Sequence, residues 1–408
     1  MLINLDLRST SMETHLLPAA AAATRVGVKR ATLYAYVSRG LLTAFTLPGR
    51  PGSWFDPVQL DALTRKARQP EERRPDLRIA SAITLIAHGR YWYRGQDPAA
   101  LAGAHPYESV AEFLWTGEMP AAPPVWPSDA RAVARARRAA AALPASASLP
   151  DRLRVVVAVL GAADALRFDL RPAGALATAR RLVAGVVAAL AGGAAAPRGR
   201  TSPGVAARIG AAVSARPLNA AAVRAIDTTL TVMADHELAA STLAVRVAAS
   251  FRADPYAAVL AGLGAMAGTW HGAASRRVED ALAGLAVHGA ADAAVSRLLH
   301  EPHLVPGFGH PLYPDGDPRV PVLLHLAAGG RPVPESDALA HVAREQGVPP
   351  PNVDFALAVV TRAYRLDPGA GEALFTIGRL AGWLAHALEE YAQATTFRQR
   401  AIYTGPRP

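Results

Sequence analysis

The 408-residue sequence contains no cysteine. This absence excludes disulfide bonds, zinc sites built on thiolates and a thiol nucleophile. Any catalysis must therefore rest on histidine, carboxylate, hydroxyl or arginine chemistry. The HExxH spacing of a zinc-binding helix is also missing, so no metal site is expected.

Long apolar runs are missing as well, although 51% of the residues are hydrophobic. The uncharged run from Leu182 to Pro197, which Gly192-Gly193 interrupts, is shorter than the roughly 20 apolar residues that a membrane-spanning helix needs. It predicts a buried helix and no membrane partner. Asp6 and Glu13 stand where a signal peptide would carry only positive charge, so a cytoplasmic protein is expected.

Positive charge is in excess, because 43 Lys and Arg against 33 Asp and Glu give a net charge of +10. This balance favours anionic partners such as nucleic acid, phosphate-bearing molecules or polycarboxylates. An arginine-rich composition without a special partner explains it equally well. The length allows two or three domains with a large buried core.

Residues 18–68 have the pattern helix, turn, helix, wing, helix. The predicted segments, in that order, are Ala19–Val26, Gly27-Val28, Arg30–Ser38, the extended pieces Leu41–Thr46 and Ser53–Phe55 around a turn at Pro48 to Gly52, and a helix capped by Asp56 with Pro57 at its first position. Leu33, Tyr36 and Val37 fall at helical spacing and are predicted to face inward.

The stretch "TRVGVKRATLYAYVSRGLL" resembles the MerR-like and excisionase-like winged helix-turn-helix family. The resemblance implies a winged helix-turn-helix domain over residues 1–70, with DNA as a partner. The side chains available to phosphates or base edges are Lys29, Arg30, Thr32, Tyr34 and Arg39. A purely structural appendage is the alternative, because a fold does not guarantee a function.

After a polar linker at Gln69–Asp76, the remaining chain is predicted to be mainly α-helical. Apolar periodicity predicts helices at Ser128–Leu143, Asp151–Leu166, Ala173–Leu190, Asn219–Ala234, Ala239–Phe251, Pro255–Ala267, Val353–Leu366 and Gly371–Tyr391. The many Ala, Val and Leu residues allow close helix packing, and no fixed internal repeat is visible. One helical body is therefore expected.

Four segments carry the candidate catalytic residues. They are "MADHELAAST" with His236, "TWHGAAS" with His271, "GFGHPLYPDGDPRV" with His310 and Arg319, and "PPPNVDFALAVV" with Asp354. Taken singly, a histidine near a helix end is typical of a structural hydrogen bond, and an Asp in a first helical turn is typical of a favourable helix-dipole charge. Their order along the chain is the informative feature.

In this order the segments resemble the citrate synthase family over residues 77–408. "IGRLAGWLAHALEE", with Arg379, and "FRQRAIYTGP", with Arg398, resemble the family's two arginine-bearing signatures. The resemblance implies large and small helical domains, the small one at about residues 275–368 and inserted in the large one. It also implies a citrate synthase-like acyltransferase that condenses acetyl-CoA with oxaloacetate and water to give citrate and CoA, without a metal or other cofactor.

The resemblance further assigns roles to the catalytic residues. Deprotonating the methyl carbon of acetyl-CoA, a very weak acid, requires a base and a donor at the thioester oxygen. Asp354 would be the base and His271 the donor. His310 would polarise the oxaloacetate carbonyl.

Substrate binding and assembly are implied in the same way. Arginine forks match carboxylates, and the residues implied to hold oxaloacetate are His236, Arg319, Arg379 and Arg398. Val305, Gly307 and Gly309 would lie against CoA. A homodimer with a shared active site is part of the resemblance, with Arg398 reaching into the neighbouring subunit's site.

Several positions depart from the family pattern. Ala239 stands where Asn is frequent, Trp270 lies beside the donor histidine, and no basic residue lies between His310 and Asp317. These changes concern pocket shape and CoA contacts, so propionyl-CoA, which would give 2-methylcitrate, is an alternative acyl donor. A metabolite-sensing DNA-binding regulator with a synthase-like body is the second hypothesis, motivated by residues 18–68 and the net positive charge.

Overall fold

The structure, a computed structural model, describes residues 2–4, 16–38, 42–47, 50–61, 79–192, 204–268, 274–288, 305–393 and 396–397. The chain divides into two compact units, Met1–Ala80 and Ser81–Pro408. The predicted linker at Gln69–Asp76 lies outside the described residues.

Two short helices of the first unit, α1 (Ala19–Val26) and α2 (Arg30–Ser38), have the predicted bounds. Residues 57–61 are helical as well, and Asp56 accepts the N–H of Val58 at 2.8 Å, as expected for the predicted cap. Gly27 joins α1 to α2 with φ 75°, and its N–H donates to Ala23 O at 2.9 Å and to Thr24 O at 3.2 Å. Glycine adopts this left-handed conformation at little cost, so Gly27 both ends α1 and sets the turn.

The first unit also contains a four-stranded sheet with the order β1-β3-β4-β2. Its strands are β1 (Leu2–Asn4), β2 (Leu17–Pro18), β3 (Ala44–Leu47) and β4 (Arg50–Phe55). Strands β3 and β4 form the predicted antiparallel hairpin, but Leu47 pairs with Arg50, so β4 already begins inside the segment from Pro48 to Gly52 that was predicted to be a turn. The sequence pattern does not reveal β1 and β2, because two or three residues are too few for a periodic signal.

Apolar side chains from α1, α2, the hairpin and the helical residues 57–61 form the core of the first unit. Leu33, Phe55 and Leu60 are fully buried there, and Tyr36 and Val37 pack against them. The inward face predicted for α2 is therefore confirmed.

The second unit begins with an antiparallel hairpin, β5 (Thr84–Ala87) and β6 (Arg90–Tyr93), and continues as helices. The first helices are α3 (Pro98–Ala104), α4 (Tyr107–Thr116), α5 (Ala130–Ala141), α6 (Leu149–Ala163), α7 (Pro172–Leu190), α8 (Val205–Val213), α9 (Ala220–Val232), α10 (Ala240–Ser250) and α11 (Pro255–Met266). They are followed by α12 (Ala274–His288), α13 (Arg319–Ala327), α14 (Pro334–Glu345), α15 (Val353–Ala363) and α16 (Ala370–Tyr391). The expectation of a mainly helical protein is confirmed.

Several helices begin at residues whose side chains accept a backbone N–H of the first turn. These N-terminal caps are Asp97, Asp129, Ser148, Asn219, Asp254 and Asn352. Such a cap satisfies an N–H group that has no partner within the helix.

The helices predicted from periodicity match α5–α7, α9–α11, α15 and α16 within three residues at each end. The largest differences are at C-termini. Helix α6 stops at Ala163 because Asp164 is extended, and α15 stops at Ala363 shortly before Arg365, which has φ 52°. Hydrophobic periodicity continues past both points, so it does not report where the backbone leaves the helix.

Helix α7 contains most of the apolar run that begins at Leu182. By length and composition it is the one helix in the described ranges that could cross a membrane, and about half of it is buried inside the protein. It packs against α5, α6, α8, α11 and α16. These contacts agree with the prediction of a buried helix.

Two apolar clusters make up the interior of the second unit. One is formed by α3–α11 and α16 and includes the fully buried Trp383. The other is formed by α12–α15 and includes Leu282 and Phe355. Val232 and Met233, at the end of α9, belong to the second cluster. The loop that follows α9 therefore lies where the two clusters meet.

Candidate active site

His236 lies in the short loop between α9 and α10. Its side chain is 6% exposed, and its Nε2 lies 2.8 Å from the hydroxyl of Tyr313. Glu237 follows with φ 54°, and its N–H donates to the carboxylate of Asp235 at 3.1 Å. The backbone of a non-glycine residue rarely adopts this left-handed conformation. The hydrogen bond to Asp235 therefore stabilises the strained turn next to His236.

His310 ends a glycine loop that is bonded to the segment before α15. Gly307 and Gly309 have φ values of 83° and 72°. Gly309 N–H donates to Pro350 O at 2.8 Å, Asn352 N–H donates to Gly307 O at 2.9 Å, and the Asn352 side-chain amide donates to Gly309 O at 2.9 Å. The His310 loop and the start of α15 are therefore held together.

Tyr313 connects the two histidines. Its ring centroid lies 5.5 Å from that of His236 and 4.8 Å from that of His310, and the two imidazole centroids are 5.3 Å apart. Arg319 lies 6.0 Å from the centre of the same ring. Since Tyr313 is buried, its phenol restricts the orientation of both imidazoles.

Both histidines are neutral near pH 7. Burial, followed by Arg319, lowers the pKa of His310 to about 4. Burial, with Arg319 and Arg379 in addition, lowers the pKa of His236 well below its usual value. The backbone N–H of Leu312 donates to His310 Nδ1 at 3.2 Å, which leaves the His310 proton on Nε2 as a donor.

Arg319 and Asp317 form a buried bidentate ion pair. Arg319 Nε lies 2.8 Å from one carboxylate oxygen of Asp317, and Nη2 lies 2.7 Å from the other. Asp317 also accepts the N–H of Val353 at 3.0 Å, in the first turn of α15. Burial alone would lower the pKa of Arg319, but Asp317 more than offsets it and raises that pKa.

Arg379 projects from α16 and is 1% exposed. Its Nε donates to Met233 O at 3.0 Å, while Nη2 is buried and has no hydrogen-bond partner among the described residues. Burial lowers the pKa of Arg379, and Asp235 opposes that effect. A guanidinium nevertheless stays charged in proteins, so Arg379 presents a desolvated cation with an open donor.

Asp354 lies in the first turn of α15, where Asn352 accepts its backbone N–H at 3.0 Å. Burial raises the pKa of its carboxyl to about 7; Arg319 counteracts this effect, whereas Asp317 and Glu372 add to it. A carboxyl with such a pKa can accept a proton at neutral pH.

The structure therefore brings together most of the residues predicted for the site. His236 and His310 are in ring contact, and Arg319 acts electrostatically on His236, His310, Arg379 and Asp354. The loop with Gly307 and Gly309 borders this group, and Val305, half-buried, accepts the N–H of Phe308 at 3.0 Å. The predicted residues His271 and Arg398 lie outside the described residues.

Sequence reasoning did not predict the contacts made around this group by Tyr313, Asp317, Asp235 and Asn352. The single available signal was the spacing of Asp317 and Arg319, which places a carboxylate two residues before a predicted substrate-binding cation. The Tyr313–His236 hydrogen bond joins positions 77 residues apart, and no local pattern predicts such a contact.

In the first unit, Lys29 and Arg30 are exposed, Thr32 is half-buried, and Tyr34 is 44% exposed. Lys29 O accepts the N–H groups of Thr32 and Leu33, so Lys29 lies at the start of α2. Arg39, also predicted to contact DNA, lies outside the described residues.

In the part of the chain that the structure describes, no group of three or more His, Asp or Glu residues could hold a metal ion.

Comparison with known families identifies the second unit. The family model described as "Citrate synthase, C-terminal domain" matches residues 77–400. The chain therefore belongs to the citrate synthase family.

Curated relatives carry the names of two related synthases. Citrate synthase 2 of Bacillus subtilis is 34% identical over 191 residues, which cover 45% of this chain and 51% of that protein. The citrate synthase of Mycolicibacterium smegmatis is 29% identical over 337 residues, covering 77% of this chain and 88% of that protein. The 2-methylcitrate synthase of Mycobacterium tuberculosis is 28% identical over 335 residues, covering 77% and 84%. The chain spans about half the length of the Bacillus protein and most of the other two.

Solved structures share the fold. The citrate synthase from Thermotoga maritima matches with a TM-score of 0.66 at 24% identity, covering 82% of this chain and 95% of that chain. A ternary complex of carboxymethyl coenzyme A and oxaloacetate with the citrate synthase from Thermoplasma acidophilum matches with a TM-score of 0.66 at 22% identity, with the same coverage. At these identities, the likeness establishes a citrate-synthase-like fold.

Proposed function

We propose that this protein is a citrate synthase that condenses acetyl-CoA with oxaloacetate and water to give citrate and CoA. The observation that carries the proposal is Asp354, whose carboxyl has a pKa of about 7 and so suits a base at neutral pH. It lies on α15, whose N-terminal cap Asn352 donates a hydrogen bond to Gly309 O in the His310 loop. Membership of the family supports the same class of reaction.

In this proposal Asp354 removes a proton from the acetyl methyl group. His271, by resemblance to the family, donates to the thioester oxygen, where negative charge develops. The Nε2–H of the neutral His310 donates to the carbonyl oxygen of oxaloacetate, making its carbon more electrophilic. As the new carbon–carbon bond forms, His310 gives that proton to the alkoxide. Hydrolysis of the citryl thioester then releases citrate and CoA.

The two carboxylates of oxaloacetate need cations, and the buried arginines supply them. Arg379 has an Nη2 donor without a partner among the described residues, so it is the anchor for one carboxylate. Arg319 already binds Asp317 through Nε and Nη2, which leaves Nη1 for the substrate. His236, held by Tyr313, assists, and Arg398 of a neighbouring subunit completes the set by resemblance.

CoA is proposed to lie along the glycine loop. The segment containing Val305, Gly307 and Gly309 adjoins His310, and glycine permits close approach of a ligand to the backbone. By resemblance, a small domain of about residues 275–368 closes over both substrates. Closure would exclude water until the carbon–carbon bond has formed.

Exposed apolar surface supports the homodimer. Helix α11 (Pro255–Met266) has no charged residue, yet Ala257 and Gly264 on it are exposed. The neighbouring helix α10 exposes Val247, and Phe251 directly after it is also exposed. An apolar helix pair is normally covered in solution, and a second copy of the chain is the proposed cover.

The test is release of free CoA thiol from acetyl-CoA in the presence of oxaloacetate. Because the protein has no cysteine, it does not react with a thiol reagent. We expect release that requires oxaloacetate and is lost in Asp354→Ala. Undiminished release in Asp354→Ala would disprove the role of this base. Propionyl-CoA, as a second donor, tests 2-methylcitrate synthesis by its rate relative to acetyl-CoA.

DNA binding by the first unit is a second candidate function. The observation that favours it is the α1–turn–α2 arrangement, followed by the β3–β4 hairpin, with Lys29, Arg30 and Tyr34 exposed on or next to α2. This matches the order of a winged helix-turn-helix, whose second helix enters the major groove. The net charge of +10 is compatible with such binding.

Selection from a random duplex pool, followed by fluorescence anisotropy at several salt concentrations, tests this candidate. We expect affinity that falls as salt rises and that weakens in Arg30→Ala. Arg131→Ala is the control, because it removes an exposed arginine from the first turn of α5 in the second unit. This variant should leave DNA binding unchanged. A shift in affinity with oxaloacetate would favour a metabolite-sensing regulator, whereas absence of selective binding removes this function.

A further inference from the structure

A buried polar network lies behind the loop that carries His236. Asp235, which is 0% exposed, accepts three hydrogen bonds on one carboxylate oxygen. The donors are Thr84 Oγ1 at 2.5 Å, Glu237 N–H at 3.1 Å and His386 Nε2 at 3.3 Å. Asp235 thus connects hairpin β5–β6, the His236 turn and helix α16.

The neighbours of His386 determine its tautomer. Its Nδ1 lies 3.2 Å from Nη1 of Arg246, and a guanidinium can only donate hydrogen bonds. His386 Nδ1 is therefore the acceptor, and the ring proton is on Nε2, directed at Asp235. Protonating Nδ1 would place an N–H group opposite the Arg246 cation.

Arg246 is itself held in place by two carboxylates. Its Nε lies 3.0 Å from Glu390 and its Nη1 lies 2.6 Å from Glu389. Arg246, His386 and Glu390 are all buried. Rearranging any of these groups would leave a buried charge without its partner, which is costly. The network is therefore stiff.

The buried network around Asp235 adjoins two residues of the proposed site, His236 and Arg379. Asp235 and Glu237 flank His236, and Glu237 is in the strained left-handed conformation. Asp235 also acts electrostatically on Arg379, whose Nη2, without a partner among the described residues, is the proposed carboxylate anchor. Burial would raise the pKa of Asp235, but hydrogen bonds from His386 and Thr84 and the charge of Arg379 lower it below its usual value, so the carboxylate stays ionised.

We propose that His386 is a positioning residue, which acts through Asp235 to hold the His236 imidazole and the Arg379 guanidinium in the geometry that receives a dicarboxylate substrate. The substrate part of this inference rests on the proposed function. His386 itself does not contact the substrate. Its imidazole joins the Arg246 cation, at Nδ1, to the Asp235 anion, at Nε2.

The test compares three variants in the full-length protein. His386→Leu removes both hydrogen bonds, whereas His386→Gln can keep both, since its amide donates to Asp235 and its carbonyl accepts from Arg246. We expect KM for oxaloacetate to rise about tenfold or more in His386→Leu and less than about threefold in His386→Gln. Tyr391→Phe is the matched control, because Tyr391 lies on the same helix α16 and the variant loses one partly buried hydrogen bond, to Ala253 O.

A merely structural role predicts a different result. His386→Leu would then resemble Tyr391→Phe, with a lower melting temperature and an unchanged KM, and this result overturns the proposal. If His386→Leu does not fold, Thr84→Val, which deletes one donor to Asp235 with little change of shape, should still raise KM for oxaloacetate.

A second readout does not depend on catalysis. The imidazole 15N signals of His236, assigned by their absence in His236→Asn, should change in His386→Leu and stay close to wild type in His386→Gln. Unchanged signals in His386→Leu contradict the positioning role, whether or not the wild type is active. Changed signals together with an inactive wild type would support the positioning role and reject the proposed synthase.

Discussion

Asp354 gives the site a pH dependence that can be worked out from its surroundings. The carboxyl has a pKa of about 7, and the proposed base must be ionised. The pKa of His310 is about 4, so its protonation state does not change near neutrality. We predict that kcat/KM rises with pH through about 7, as measured by thiol release between pH 5 and 9. A flat profile with rate-limiting chemistry would contradict this assignment.

The same residue predicts a conflict between activity and stability. The native carboxyl titrates near 7 and an ordinary one near 3.8, so between these values the native state binds a proton that the unfolded state does not. The contribution of this group to stability is therefore fully present below pH 3.8 and is lost as pH rises through 7.

Asp354→Asn cannot ionise, so it removes the loss of stability that wild type suffers as pH rises through 7. We expect the variant to be inactive but to melt at a higher temperature than wild type at pH 8, and to show no such gain at pH 4. Differential scanning calorimetry at the two pH values provides the measurement. A lower melting temperature at pH 8 would mean that ionised Asp354 has stabilising partners.

Tyr313 makes a hydrogen bond to His236 that the local sequence does not predict. Tyr313→Phe deletes the hydroxyl 2.8 Å from His236 Nε2 and keeps the ring beside His310. We expect KM for oxaloacetate to rise about fivefold to tenfold, which corresponds to one lost hydrogen bond. Tyr364→Phe, which loses a hydroxyl bond to Leu326 O, is the control and should leave KM unchanged. Equal KM values in the two variants would argue against a role for the Tyr313 hydroxyl.

At the scale of elements, the His310 loop depends on backbone that only glycine supplies easily. A Cβ at Gly307 would lie 2.5 Å from Val278 Cγ2 and 3.4 Å from Phe355 Cβ, in addition to the cost of φ 83°. Gly347 has a similar φ of 73°, but a Cβ there meets nothing within 4 Å. Alanine substitutions at Gly307 and Gly347 therefore distinguish the cost of steric overlap, present only at Gly307, from the cost of the left-handed conformation, present at both.

We predict that Gly347→Ala lowers the free energy of unfolding by about 1 kcal/mol. Gly307→Ala should lower it by about 2–4 kcal/mol, because overpacking is added, and should also reduce activity through His310. Urea denaturation monitored by circular dichroism compares the two. Equal losses would show that Val278 and Phe355 relax without cost.

Helix prediction illustrates which elements a sequence specifies. The long helices α5–α7, α9–α11 and α16 have enough turns for an apolar face to repeat, so periodicity locates them. Hairpin β5–β6 is too short for such a signal, yet it supplies Thr84, which bonds to Asp235 across 151 residues. Its role depends on a contact that exists only in the folded chain.

At the scale of the whole molecule, the apolar face of α10 and α11 predicts association. Val247→Glu places a charge on the exposed face of α10, whereas Val125→Glu makes the same change at a position that is 82% exposed and precedes α5. We expect Val247→Glu to shift the proposed dimer to monomer and to lose activity, and Val125→Glu to remain dimeric and active. Size-exclusion chromatography with light scattering, followed by the thiol assay, distinguishes them. A dimeric, fully active Val247→Glu would place the interface elsewhere.

The sequence by itself determined the mainly helical class, the positions of the long helices and the ordered motifs that carry His236, His310, Arg319, Asp354 and Arg379. These properties depend on local periodicity and on residue types at given positions. The tertiary structure decided the raised pKa of Asp354, the pairing of Arg319 with Asp317 and the burial of Arg379 with an Nη2 donor that has no partner in the described part of the chain. Each of these results from burial and from contacts between distant segments, which a linear pattern does not contain.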